Sequence, residues 1–219
     1  MSRWKQPLGC NVLEAAQARI AEVFDQFPRV YLSGPSGKDS GVMMHLACLE
    51  ARKRGRKVGV LYVDLEAQYA LTIESVREMF ALYADVIDPY WVALPLHLRN
   101  AVSMHAPYWV SWDPRCREAW VREPDPQSIT DPAAFPFYRA PDGDDSMEFE
   151  EFIEEFGHWY AQGQLCACLV GIRAAESLNR WRAIAGDHHR FQGHKWSTWK
   201  GRTLYNAYPI YDWNTEDVW

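Results

Sequence analysis

The sequence predicts an α/β fold, a parallel sheet with helices on both faces, on three observations. Over the first ninety residues short apolar runs alternate with segments of helical spacing. The glycine-bearing turn Ser33-Gly34-Pro35-Ser36-Gly37 links the first apolar run to the helix after it. Hydrophobic residues make up 48% of the 219, enough for a full core and too many for a disordered chain.

Taken in order, Val12, Ala15, Ala16, Ile20, Val23 and Phe27 recur at helical spacing, which predicts a helix over 11–27. Asn11 is its N-cap and Pro28 its stop. Residues 29–32 form a short buried strand, and 33–40 a loop. Helical spacing returns over 41–53 and closes on Arg52, Lys53, Arg54 and Gly55, a composition suited to a helix C-terminus. A second buried strand spans 57–64, Thr72 caps a helix running to Tyr83, and 84–87 is a third strand. Nine prolines between Pro89 and Pro141 then forbid continuous helix, so 89–147 is expected as an irregular insertion packed by aromatics. An acidic stretch, 142–155, leads into a helix over 149–160, and 165–172 is a further buried strand. No internal repeat or domain boundary is evident, so 1–219 is expected as a single domain.

Composition excludes several classes. No apolar run approaches the roughly 20 residues of a membrane span, and Met1-Ser2-Arg3-Trp4-Lys5 lacks the apolar stretch of a signal peptide. Five cysteines, odd in number and unevenly spaced, argue against a disulfide framework and for a reducing cytoplasm. A net charge of −6 argues against a general nucleic-acid coat. Nucleic acid is therefore not the favoured partner, although the sign inverts from Arg173 to Arg202, where seven cations face Glu176 and Asp187. Ten of the 11 tryptophans lie beyond residue 90, and ending on Trp219 looks like a cut rather than a finish.

The chemistry concentrates in the strand–loop–helix segment. Glycines let a backbone turn its N–H groups onto phosphate oxygens, and the helix N-terminus adds partial positive charge. Ser33, Gly34, Ser36 and Gly37 are the cradle; Lys38 supplies a point charge, Asp39 a carboxylate for Mg²⁺, and Ser40 a hydroxyl. The spacing is not that of a Walker A loop. The plain alternative is an ordinary strand-to-helix turn.

Ser36-Gly37-Lys38-Asp39-Ser40-Gly41 resembles the pyrophosphate loop of the N-type ATP pyrophosphatases, in the branch holding phosphoadenylylsulfate (PAPS) reductases and the ATP sulfurylase small subunit. Gly171-Ile172-Arg173-Ala174-Ala175-Glu176-Ser177 and the segment 206–219 resemble two further blocks of that branch, in the same order. Val63-Asp64-Leu65-Glu66-Ala67-Gln68-Tyr69 resembles a segment of the immunoglobulin-binding regulator A proteins. The resemblance implies a Rossmann-like adenine nucleotide alpha hydrolase fold that binds ATP or an adenylyl sulfur nucleotide with Mg²⁺. It implies nucleotide contacts from Ser33, Gly34, 36–40, Asp64, Glu66, Gly171 and Arg173, with Lys38, Asp39 and Arg173 as the catalytic groups. The implied reaction splits ATP between its α- and β-phosphates as a small oxyanion attacks. Thiol-dependent reduction of a sulfonucleotide and nucleotide sensing without catalysis stand as alternatives, and a homodimer or a ParB-like protein partner fits the regulator resemblance. Family members continue past the Asp-Val-Trp block, so a C-terminal part is expected to be missing.

Two departures matter. Pro35 stands where the family has the loop's first serine, which removes one N–H donor. Reductases of the branch carry a cysteine in a C-terminal tail, and generally lack the Lys-Asp pair found here. Among weaker signals, Cys166 and Cys168 lie in an apolar strand and fit core packing better than an iron–sulfur cluster. Asp187, His188, His189 and His194 fit a polar loop better than a metal site. Trp196 and Trp199 among basic residues suit either base stacking or a loop anchor.

Overall fold

A computed structural model describes residues 9–100, 102, 104–141, 146–186 and 189–219. The first helix, α1 (Val12–Gln26), begins as its sequence predicts. The Asn11 side chain accepts from the Glu14 N–H at 2.8 Å, and the Glu14 carboxylate accepts from the Asn11 N–H at 3.2 Å. This reciprocal cap satisfies two of the orphan donors of the first turn. Phe27 closes the helix immediately before Pro28, which cannot extend it.

Then follow β1 (Arg29–Ser33), α2 (Lys38–Lys53), β2 (Val58–Val63), α3 (Ala70–Leu82) and β3 (Ile87–Val92). The insertion carries β4 (Leu96–Arg99) and β5 (Tyr108–Ser111), and after it come α4 (Phe149–Ala161), β6 (Cys166–Val170), α5 (Leu178–Ala185), β7 (Ser197–Trp199) and β8 (Leu204–Ala207). Six strands form one sheet in the order β3-β2-β1-β6-β8-β7. Every neighbouring pair is parallel except β7 with β8.

Side chains alternate across that sheet with the period of two that strands impose. Val30, Leu32, Val58, Val60 and Tyr62 join α1, α2 and α3 in one core. Tyr31, Leu61, Cys166, Cys168 and Leu204 meet Phe152 and Phe156 of α4 in the other. The Tyr160 ring closes this second core against the sheet: its hydroxyl accepts from the Gly59 N–H and donates to the Val30 carbonyl, both at 3.1 Å. A Cβ on Gly59 would lie 2.8 Å from that ring. Gly59→Ala is therefore expected to destabilise by about 1–3 kcal/mol, read as a lower denaturation midpoint with an unchanged slope.

Four sequence expectations are corrected. The third strand is Ile87–Val92, not 84–87, and it runs through Pro89 because β3 is a sheet edge, where a missing N–H is tolerated. The insertion is not wholly irregular: β4 and β5 pair as an antiparallel hairpin, with Pro95 and Pro107 just outside the strands. Helix α2 starts at Lys38 rather than residue 41, which brings the loop's polar residues into its first turn. Helix α3 starts at Ala70 on Tyr69, with no side-chain cap, so Thr72 lies inside it. The expectations on 1–5, 142–145, Asp187 and His188 lie outside the described residues. No helix among the described residues is long and apolar enough to cross a membrane.

Candidate nucleotide site

The strand order reverses direction between β1 and β6: the chain runs outward through β2 and β3 on one side, then resumes at β6 on the other. In an open parallel sheet the crevice at such a switch point, outside the carboxyl ends of the strands, is where ligands bind. Both segments singled out in the sequence fall there. One is the loop from β1 into α2; the other is Gly171 to Arg173, directly after β6.

Gly34 takes φ +73°, the left-handed conformation that lets the chain leave β1 and turn into α2, and its N–H donates to the Leu61 carbonyl at 3.0 Å. Gly37 is the N-cap of α2 without a side-chain cap, so no capping side chain satisfies the N–H groups of the first turn. Ser36, Gly37 and Lys38 are exposed, Ser33 and Ser40 half-buried, and Pro35 and Asp39 buried. Gly171 lies against that first turn. A Cβ there would stand 2.9 Å from Ser40 Cα and 3.1 Å from the Asp39 carbonyl oxygen, so only glycine permits this approach.

Across the crevice, Arg173 Nε donates to Asp39 Oδ2 at 3.0 Å, with both side chains nearly buried. Among the described residues, Asp39 Oδ1 has no hydrogen-bond partner. A buried acceptor oxygen with spare capacity at a phosphate-type loop fits a hard cation such as Mg²⁺, which needs only one or two carboxylates beside phosphate and water. No cluster of three or more His, Cys, Asp and Glu able to hold a metal occurs among the described residues. Glu176 accepts from the Arg173 backbone N–H at 3.0 Å and pairs with Arg180. Burial pushes the Glu176 carboxyl up, but these hydrogen bonds and the Arg180 charge outweigh it and hold it below its ordinary value. The Glu176–Arg180 pair thus forms at the i,i+4 spacing, and Arg173 turns inward to Asp39. Lys38 Nζ lies over the Trp219 ring, 4.7 Å from its centroid, and Arg173 Nη1 donates to Thr215 Oγ1 at 3.4 Å.

Asp64 and Glu66 stand at the carboxyl end of β2 but are bound to the insertion. Asp64 is fully buried; it accepts from Trp91 Nε1 at 3.1 Å, from the Glu66 N–H at 3.1 Å, and from Arg122. Its carbonyl accepts from Trp112 Nε1 at 2.6 Å, and the Glu66 carboxylate accepts from the Trp112 N–H at 2.7 Å. Neither residue caps α3. Sequence reasoning missed Arg122, Trp112 and Trp91; the signal was two acidic residues just past a buried strand, which require buried donors. Beside the loop a pocket of about 180 Å³ is lined by Ser33, Gly34, Leu65, Gln68, Phe149 and Ile153, among others.

Of the weaker signals, the two strand cysteines are packed in the core. Cys166 and Cys168 belong to the second core; burial pushes both thiols up, Cys168 to about 12. His45 is bonded through Nδ1 to the Tyr83 hydroxyl at 2.5 Å, and His194 Nε2 pairs with Glu22 at 2.7 Å. Trp196 is buried whereas Trp199 is exposed.

The sheet order, the flanking helices and the loop at the switch point define a Rossmann-like α/β fold, similar to that of adenine nucleotide alpha hydrolase-like structures. It is similar to a PAPS reductase from Candida auris solved as a phosphate complex, with a TM-score of 0.50, 14% identity, and coverage of 93% of this chain and 76% of the reductase. An FMN adenylyltransferase from Candida glabrata in complex with ATP gives a TM-score of 0.48 at 13% identity, over 95% of this chain and 52% of that one. In sequence the chain is similar to the uncharacterized protein YbdN of Escherichia coli K12, 45% identical over 223 residues. That match takes in all of this chain but 53% of YbdN, so the chain spans about half the length of the relative it matches. No family model matches the chain.

Proposed function

We propose that the crevice binds ATP or an adenylyl sulfur nucleotide and catalyses adenylyl transfer to a small oxyanion, of sulfur or another element, in the manner of the PAPS reductase family. The observation that supports this most is the meeting, across the switch point, of two segments 134 residues apart: the capless first turn of α2 with Lys38 and Asp39, and Arg173. Loop N–H groups and the Lys38 ammonium would hold the β- and γ-phosphates. Arg173, held by Asp39 through Nε and by Thr215 and Glu176 through its two η nitrogens, would turn those η N–H groups to the oxyanion or the α-phosphate when the ligand enters. The acceptor oxygen attacks the α-phosphorus, the α–β bridging bond breaks, and pyrophosphate leaves with that electron pair. Mg²⁺, taken by Asp39 Oδ1 and the phosphates, would neutralise charge there. The largely apolar pocket beside the loop suits a flat base. With five free cysteines, a reducing cytoplasm suits the protein.

Incubated with ATP, Mg²⁺ and sulfate, the protein is expected to release pyrophosphate, and Lys38→Ala, at an exposed residue, to slow release about 100-fold or more. Equal release by both proteins, or by neither, rejects adenylyl transfer to sulfate at this loop.

A second reading, a nucleotide sensor without turnover, is favoured by one observation. Lys38 is stacked on Trp219 and Asp39 is paired with Arg173, so both loop side chains have partners within the chain. Nucleotide-dependent thermal stabilisation without pyrophosphate release selects it.

A further inference from the structure

We infer that the hairpin of β7 and β8 is a binding surface for single-stranded nucleic acid, with Trp199 stacking on a base and Lys195, Lys200 and Arg202 holding phosphates. The surface is separate from the nucleotide crevice. Leu204, which starts β8, is in register with Cys166 at the start of β6, so the turn between β7 and β8 lies at the opposite end of the sheet from the phosphate-type loop.

Charge pairing is the first observation. The chain carries 29 acidic residues against 23 Lys and Arg, so a cation finds a carboxylate easily. Most do: Arg19, Arg52, Arg54, Lys57, Arg77 and Arg122 are examples. Among the described residues, Lys195, Lys200 and Arg202 are exposed and have no carboxylate partner, and they stand within eight residues of one another. Arg190, nearby, is spent on the backbone carbonyls of Ile184, Gly186 and Lys195, which ties α5 to this segment. Lys200 and Arg202 in the turn, with Lys195 two residues before β7, put three unneutralised cations on one short segment of an acidic protein and make a local field that attracts a polyanion.

The second observation is the tryptophan between them. Trp199 is 44% exposed, yet it is held: its Nε1 donates to the Arg202 carbonyl at 3.1 Å, and the His189 ring meets it edge-on with centroids 5.6 Å apart. Arg202 takes φ +45° to present that carbonyl. A fixed, half-open indole flanked by free cations is the pairing by which single strands are held, bases on the ring and phosphates on the charges. An acidic peptide would use the charges and leave the ring idle.

The test uses the full chain and a fluorescein-labelled 12-nucleotide oligothymidine, followed by anisotropy. Binding is expected to weaken roughly 20-fold between 50 and 200 mM salt if three phosphates are held. Lys200→Glu/Arg202→Glu should abolish it, Trp199→Ala should weaken it at least about fivefold, and Trp199→Phe should retain most of it. An unchanged melting midpoint in each variant confirms that the fold persists. No binding by the wild-type chain, an unaffected charge-reversal variant, or equal affinity for poly-glutamate with no effect of Trp199→Ala would each overturn the inference.

Discussion

Arg173→Leu is expected to lower the free energy of unfolding by about 3–5 kcal/mol, because it leaves the Asp39 carboxylate buried without its charge partner. The Arg173 and Asp39 side chains are 5% and 11% exposed, so water does not compensate, and Asp39 Oδ1 is already without a partner among the described residues. The Asp39→Leu/Arg173→Leu double variant should regain most of the loss, since removing both charges also removes their desolvation cost. Urea denaturation of the wild type, the single and the double variants measures this directly. A single variant as stable as the wild type would mean that water reaches the pair, contrary to its burial. The pair therefore belongs to the fold as well as to the crevice.

A second large effect is expected at Asp64. Asp64→Ala should cost about 3–5 kcal/mol, since it leaves the Arg122 guanidinium without its carboxylate partner and the Trp91 indole N–H without an acceptor. Asp64→Asn should cost less, because its carbonyl oxygen can still accept from Trp91 or from the Glu66 N–H. The two variants should also differ in where they loosen. Trp91, Trp112 and Arg122 all close on this carboxyl end of β2, and Trp120 packs edge-on against Trp112. Near-UV circular dichroism should therefore report lost tryptophan asymmetry in Asp64→Ala, and limited proteolysis should cut first near residues 113–125. A near-UV spectrum equal to the wild type's would show that the insertion is anchored elsewhere.

Much of the architecture was legible in the sequence where local pattern and tertiary context agree. The Asn11–Glu14 cap, the buried strands at 29–33 and 58–63, and the turn into α2 each carry their own signal. What was hidden follows from neighbours that no local window contains. Pro89 marks the end of a strand unless that strand is known to be an edge, which is a property of the whole sheet. The hairpin of β4 and β5 was masked by flanking prolines that sit just outside it. Lys38, Asp39, Gly171 and Arg173 were legible by type, and the sheet order adds that they meet. Asp64 and Glu66 were legible as unusual but not in purpose, because their partners Trp112 and Arg122 come from the far side of a proline-rich insertion. The tryptophans could be counted but not sorted: Trp196 and Trp199, three residues apart, differ in burial because one faces the core and the other the turn.

The outer strand β3 has one more consequence, for how these molecules behave towards one another at high concentration. A sheet edge is a row of unpaired N–H and C=O groups that invites a second chain to continue the ladder. Here Pro89 removes a donor from the middle of that row. Ile129, from the insertion, occupies the next stretch: its N–H donates to the Trp91 carbonyl at 2.6 Å and its carbonyl accepts from the Ala93 N–H at 3.0 Å. The aromatic-rich insertion thus acts as a guard on an adhesive border, and deleting it would leave that border open to a second chain.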